Sequence, residues 1–193
     1  RRRGRKMSLG KSGLILFAVV SIGFVVLLAT RGTQSNQPNF DLVGQPAPLF
    51  QAETVTGGEF DLEDVLIANR ALIPKDQVWV AVNFFASWCT GCIIEHDELL
   101  AFHNEGAFSS NGVKCNTKLV SVAFNDNKKD IDRFFDKYGG DWQVLLDEGT
   151  NRVAINYSVM TAPETVLIAP NGLVAKKIVG PITYEKLVAG IEC

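Results

Sequence analysis

Val78-Trp79-Val80-Ala81-Val82-Asn83-Phe84-Phe85, then Ala86-Ser87, then Trp88-Cys89-Thr90-Gly91-Cys92 is the stretch that decides the fold. Its nearly continuous apolar and β-branched opening predicts a strand buried on both faces, as in a parallel sheet. Cys92-Ile93-Ile94-Glu95-His96-Asp97-Glu98-Leu99-Leu100-Ala101-Phe102 predicts a helix, with acids early in it that suit the positive end of the helix dipole. Two cysteines spaced Cys-x-x-Cys where a buried strand turns into a helix are placed for thiol–disulfide exchange. The first sulfur falls at the helix N-terminus, where free N–H groups and the dipole favour the attacking thiolate. The second lies one turn further in, close enough to close a ring. Cys89 is therefore the candidate nucleophile and Cys92 the resolving thiol. A zinc site would need two further ligands at matching spacing, and Cys115 with two histidines makes no second pair. His96 and His103, seven apart, read as satisfied or solvated residues, and no metal or other cofactor is expected.

Outward from that stretch, the chain alternates strands and helices. Gln45-Pro46-Ala47-Pro48-Leu49-Phe50 carries two prolines, and Thr54 to Phe60 predicts short strands around Gly57-Gly58. Asp61 to Ile73 predicts a short helix and loop, with Asp61 at its cap. Lys118 to Phe124 is a second buried strand. Asp126 to Tyr138 places Ile131, Phe134, Phe135 and Tyr138 at helical spacing and stops at Gly139-Gly140. Val144-Leu145-Leu146 is a short strand and Asn151 to Ile155 a short helix. Glu164 to Ile168 and Val174 to Val179 flank Pro170-Asn171-Gly172, a hairpin signal. Thr183 to Ile191 is a final helix capped by Thr183. The order β–α–β–α–β–β–α, with a parallel half and a closing hairpin, is the thioredoxin arrangement, here a central mixed sheet flanked by helices with an N-terminal β extension.

The first 38 residues are different. Residues 1–12 are basic, and Gly13 to Thr30 is a charge-free, almost wholly apolar run of 18 residues, at the lower edge of a membrane-spanning helix. Leu27-Leu28-Ala29-Thr30-Arg31 is a poor cleavage site, which favours an uncleaved transmembrane anchor over a removed signal peptide; a buried core helix is the remaining alternative. The basic excess before the span predicts a cytoplasmic N-terminus and an extracytoplasmic (periplasmic) remainder. The first residue is not Met, and Met7 is a plausible start. Residues 31–38 form a polar linker, leaving 39–193 as one domain with a sizeable core. Seven of the 19 basic residues and none of the 21 acidic ones precede residue 39, so this domain carries 12 against 21, a net charge of −9. Such acidity argues against nucleic acid.

Four stretches together resemble the membrane-anchored, thioredoxin-like thiol:disulfide interchange proteins of the ResA/TlpA/CcmG (DsbE) cytochrome c maturation group, over roughly residues 41–190. They are Val43-Gly44-Gln45-Pro46-Ala47-Pro48-Leu49-Phe50; Trp88-Cys89-Thr90-Gly91-Cys92-Ile93-Ile94-Glu95-His96; Tyr157-Ser158-Val159-Met160-Thr161-Ala162-Pro163-Glu164-Thr165; and Pro170-Asn171-Gly172 with Gly180-Pro181-Ile182-Thr183. The resemblance implies a reductant of disulfides outside the cytoplasm, chiefly the Cys-x-x-Cys-His haem-attachment motif of apocytochromes c. It also implies re-reduction by a membrane electron carrier of the CcdA/DsbD type. It implies a cis peptide before Pro163, with that loop lying against the sulfurs and offering its backbone to a substrate. Cys89, Cys92, Glu95 and Pro163 are then the catalytic candidates, and Trp88, Ala162 and Glu164 the substrate-binding ones. Glu95 has two readings: a complement to the helix dipole, or a partly desolvated proton acceptor for Cys92.

One departure stands out. The group often places Arg or Lys just after the second cysteine, where this chain has Ile93 and Ile94, and no Lys or Arg lies between Val78 and Asn111. A less stabilised thiolate means a higher Cys89 pKa and a more reducing couple, with Ile93 left as an exposed docking contact. Cys115 and Cys193 are left over, and outside the cytoplasm they invite a disulfide. The other readings are a general extracytoplasmic reductase, an oxidant lacking the usual helical insertion, and a copper-binding module using Cys89 and Cys92. The chain lacks the Pro-x-x-x-Thr-x-x-Cys loop of a peroxidase.

Overall fold

The computed structural model describes residues 20–21, 42–147, 149 and 151–193. The expected anchor at 13–30 and linker at 31–38 lie outside these residues, apart from Val20 and Ser21. Among the described residues no helix is long and apolar enough to cross a membrane.

β3 (Val78–Phe85) runs through the middle of a six-stranded mixed sheet, and every residue from Trp79 to Phe85 is buried. β5 (Lys114–Phe124) pairs with it in parallel, with Asn83 opposite Ser121. β7 (Glu164–Ile168) pairs antiparallel on the other side, with Asn83 opposite Thr165. β6 (Gln143–Asp147) lies parallel to β5, and β8 (Val174–Val179) lies antiparallel to β7. A strand alternates its side chains between faces, and here both faces are covered. Val80, Val82 and Phe84 join Phe50, Phe60, Leu62 and Tyr157 in one core. Ala81 and Phe85 join Leu99, Phe102, Ile131 and Phe134 in the other. Burying each such large apolar side chain contributes roughly 1.5–3 kcal/mol, which accounts for an apolar run without alternation.

Two long helices and the short C-terminal one cover the second face. α2 (Thr90–Glu105) buries Cys92, Glu95, His96, Leu99 and Phe102, a stripe at intervals of three and four residues, and ends at Gly106 with φ +75°. α3 (Lys128–Tyr138) is capped by Asn127, whose side chain accepts from Asp130 N–H, and ends at Gly139. The first face receives α1 (Leu62–Ala71), capped by Asp61, and α4 (Arg152–Asn156). Ahead of α1 lies the N-terminal β extension, a hairpin of β1 (Gln51–Glu53) and β2 (Glu59–Asp61). The chain closes with α5 (Tyr184–Val188).

Three local expectations differ from the structure. β5 begins at Lys114 instead of Lys118, because the short strand β4 (Ala107–Phe108) pairs with Lys114 and Cys115. The last helix stops at Val188, although Thr183 caps it as expected, accepting from Lys186 N–H. Gly190 there sits so close to Leu167 that a Cβ would lie 2.7 Å from its Cδ1, and the chain turns to bury Ile191. The β7–β8 connection is not a two-residue Asn-Gly turn. That turn needs positive φ at both central residues, whereas Gly172 has it (+84°) and Asn171 does not. Pro170 fixes the bend instead, with Gly172 N–H donating to Ala169 C=O at 2.8 Å.

Cys115 and Cys193 form a disulfide with their Cα atoms 5.7 Å apart. It holds the end of the chain against β5, where Trp79 Nε1 also donates to Glu192 C=O at 3.0 Å. The bond closes a span of 78 residues, which by chain entropy is worth about 4.5 kcal/mol.

Candidate functional site

The end of β3 delivers the chain to the start of α2, and the turn between them is fastened by Asp126. Its carboxylate accepts from Ser87 N–H at 2.6 Å and from Ser87 Oγ–H at 3.1 Å. Trp88 stays 64 % exposed, with its ring fixed by donation from Nε1 to Asn125 C=O at 3.1 Å. Asn125 and Asn151 both adopt the left-handed conformation, which their short amides tolerate. They brace each other, Asn151 Nδ2 donating to Asn125 Oδ1 at 2.7 Å.

Cys89 is the N-cap residue of α2, and its sulfur accepts from Cys92 N–H at 3.2 Å. The N-cap position normally belongs to an oxygen that satisfies a free amide; here a sulfur takes that role and gains the dipole's support for negative charge. Cys89 and Cys92 are joined as a disulfide, both buried, with Cα atoms 5.3 Å apart. Against this turn lies the loop from Tyr157 to Pro163, whose Ala162–Pro163 peptide is cis. A Cβ on Gly91 would stand 2.9 Å from Pro163 Cδ and 3.3 Å from Pro181 Cγ. Gly91 therefore sets how closely the proline loop approaches the sulfurs.

Glu95 follows Cys92 by three residues, so the two share one face of α2, and its side chain is 1 % exposed. Oε1 accepts from Asn83 Nδ2–H at 2.7 Å and Oε2 from Ile182 N–H at 3.0 Å. Burial pushes its pKa from 4.5 up to about 7, against the smaller downward pull of those two donors. A carboxyl group poised near neutrality can take up and give back a proton.

Glu164, expected at the substrate edge, is as buried as Glu95. Oε1 accepts from Met160 N–H at 2.8 Å and Thr161 N–H at 3.1 Å, and Oε2 pairs with Lys177 Nζ at 3.0 Å. Lys177 also donates to Tyr157 C=O and Ser158 C=O at 2.9 and 2.7 Å. Together the two side chains stitch down the loop that ends in Pro163. Ile93 and Ile94 are exposed, as is Met160 on the proline loop. Trp88 and Ile93 share a groove of about 390 Å³ with Arg133 and Tyr138.

The histidines serve packing. His96 is buried among Phe134, Phe135 and Trp142 and bonds through Nε2 to Gly139 C=O at 2.9 Å. His103 meets Asp141 at 2.7 Å. Among the described residues no three His, Cys, Asp or Glu side chains gather as a metal site. Three residues of this region escaped the sequence reading: Asn83, Asp126 and Lys177. Asn83 alone had a signal, being the one polar residue in the apolar run of β3.

Comparison with known proteins agrees with this geometry. Residues 43–177 match the model of the AhpC/TSA family. The thiol:disulfide interchange protein DsbE of Allochromatium vinosum is 30 % identical over 145 residues, covering 75 % of this chain and 70 % of that protein. The thiol-disulfide oxidoreductase ResA of Bacillus subtilis is 26 % identical over 178 residues, covering 92 % and 87 %. A crystal structure of a thiol:disulfide interchange protein of the thioredoxin family from Chlorobium tepidum superposes with a TM-score of 0.57. It is 23 % identical and covers 75 % of this chain and 92 % of that one, a likeness of fold.

Proposed function

The chain belongs to the AhpC/TSA family, and we propose that it is a thiol–disulfide oxidoreductase that works as a reductant of protein disulfides. The observation that carries this reading is the Cys89–Cys92 disulfide at the N-cap of α2, faced by the cis Ala162–Pro163 loop across Gly91. In the reduced chain the Cys89 thiolate attacks one sulfur of a substrate disulfide, and the other substrate sulfur leaves as a thiolate that takes a proton. Cys92 then loses its proton to Glu95 and attacks the Cys89 sulfur. The mixed disulfide breaks, the second substrate thiolate departs, and Cys89–Cys92 is closed. Two electrons pass to the substrate.

Within that chemistry, Cys89 is the nucleophile, Cys92 the resolving thiol, Glu95 the proton acceptor, and Pro163 with Ala162 the edge against which a substrate strand lies. Trp88 and Ile93 offer apolar contact beside the sulfurs. The substrate we favour is the oxidised Cys-x-x-Cys-His motif of an apocytochrome c, with re-reduction by a membrane electron carrier. A redox domain at 39–193, tethered by an anchor at 13–30 and a linker at 31–38, would place this work on the outer face of the cytoplasmic-type membrane. The sequence resemblance to the cytochrome c maturation group supports these finer assignments.

Cysteine replacement tests the roles. Cys92→Ser should accumulate mixed disulfides through Cys89, and Cys89→Ser should accumulate none; equal trapping by both, or by neither, would overturn them. The direction of transfer is tested by poising the chain in glutathione or dithiothreitol buffers and reading the Cys89 and Cys92 peptides after alkylation. A potential near roughly −270 mV marks a reductant, and one near roughly −120 mV an oxidant.

A further inference from the structure

Beneath Glu95 the sheet carries a hydrogen-bonded chain that the mechanism so far does not use. Asn83, Ser121 and Thr165 stand directly opposite one another on β3, β5 and β7, and all three are buried. Trp142 Nε1 donates to Ser121 Oγ at 2.8 Å. An indole N–H can only donate, so the Ser121 oxygen accepts from it and turns its own hydrogen toward Asn83 Oδ1, 3.4 Å away. With Oδ1 engaged there, the Asn83 amide has one orientation. Its Nδ2 donates to Glu95 Oε1 at 2.7 Å and to Thr165 Oγ1 at 3.1 Å.

We propose that Asn83, locked in the donating orientation by Ser121 and Trp142, is a positioning residue that governs when Glu95 holds its proton. The proposal rests on the reading of Glu95 as the proton acceptor for Cys92. Both groups that bond Glu95, Asn83 Nδ2 and Ile182 N–H, are donors, and donors favour the carboxylate over the acid. No cation reaches Glu95 among its partners. β3, β5 and β7 turn neutral Asn83, Ser121 and Thr165 toward this region, and the segment before α5 gives a backbone amide. On α2 itself the titratable neighbours are Cys92 and Glu98, and Glu98 accepts from Tyr184 N–H at 2.8 Å. Glu164 and Lys177 on β7 and β8 are occupied with each other. Control of the Glu95 proton therefore lies with a neutral amide and with whatever fixes that amide.

The test is a pH profile of one step in the full chain. Reduced protein is mixed with glutathione disulfide, and the release of glutathione from the Cys89 mixed disulfide is followed from pH 5 to 9. In that step the Cys92 proton passes to Glu95, the Cys92–Cys89 bond forms, and the bond from Cys89 to glutathione breaks. The rate should rise with pH as Glu95 ionises. Asn83→Leu should move that limb upward by about one pH unit, the loss of one good donor to a buried carboxylate. Ser121→Ala, which removes only the lock on the amide, should move it the same way by less. Glu95→Gln should abolish the limb, and in that background Asn83→Leu should move nothing.

The outcomes separate two failures. A limb that survives Glu95→Gln overturns the role of Glu95. A limb that Glu95→Gln removes but that neither Asn83→Leu nor Ser121→Ala displaces overturns the proposal, as does a shift by Asn83→Leu that persists without Glu95. If Asn83→Leu fails to fold, Ser121→Ala decides alone: an unmoved limb overturns the lock.

Discussion

Glu95 and Glu164 are equally buried, each 1 % exposed, and they flank the same redox turn with opposite surroundings. Glu95 accepts from one neutral amide and one backbone N–H, and burial lifts its pKa to about 7. Glu164 accepts from two backbone N–H groups and forms an ion pair with Lys177, which itself donates to Tyr157 C=O and Ser158 C=O. A buried carboxyl group with only neutral donors can change charge near neutral pH, whereas Glu164 shares its site with a cation and holds down the proline loop. The same residue type thus supplies the proposed proton acceptor on one side of the turn and a loop clamp on the other.

Removing the cation is the sharpest way to break this contrast. Lys177→Met leaves Glu164 buried and uncompensated and should cost about 3–5 kcal/mol in chemical denaturation. Glu164→Gln with Lys177→Met removes the stranded charge but keeps an acceptor for the loop, so it should lose less. Equal losses would mean that the charge is not what makes the clamp matter.

Glu95 should make the stability depend on pH. Its folded pKa of about 7 exceeds the ordinary 4.5, so the folded chain holds this proton after the unfolded chain has released it. The resulting stability is fully present below pH 4.5 and is lost as pH rises through 7. Glu95→Gln removes that loss. Its stability relative to the oxidised parent should improve by about 3 kcal/mol between pH 4.5 and 8, by the linkage of pKa to stability. A flat difference in denaturation midpoint across that range would show that Glu95 does not titrate there. The smallest of the three effects belongs to the clamp's purpose. Gly91→Ala presses a methyl group onto Pro163, and if the loop is held firmly the overpacking should cost about 1–3 kcal/mol by thermal unfolding. A neutral outcome would describe a loop that yields, and a weaker clamp than the contacts imply.

The sequence made β3, β7 and β8 legible because their patterns are local: an uninterrupted apolar run, and two β-rich runs around a Pro-Asn-Gly bend. The caps at Asp61 and Thr183 were legible for the same reason, each serving an amide within three residues. The two-residue span between Cys89 and Cys92 is enough by itself to put both sulfurs at one helix start. What stayed hidden depends on contacts between distant segments. Lys177 finds Glu164 across a hairpin, and Asn83 finds Ser121 and Thr165 across three strands. The place of Glu164 beside the site was legible, but its burial was not, because burial cannot be read from a residue that adjoins a proline. Asn83 is the one polar position in the apolar run of β3, a local signal whose partners lie on other strands.

Trp88 gives the molecule its own optical gauge. The chain has three tryptophans; Trp79 and Trp142 are buried, and only Trp88 stands in solvent, next to the sulfurs. Its ring is pinned to Asn125, on a loop braced by Asn151, and not to either cysteine. Opening the disulfide should therefore leave the indole in place and change only the sulfurs near it. Its emission should then report the oxidation state, and a polypeptide that covers the ring should shift its colour.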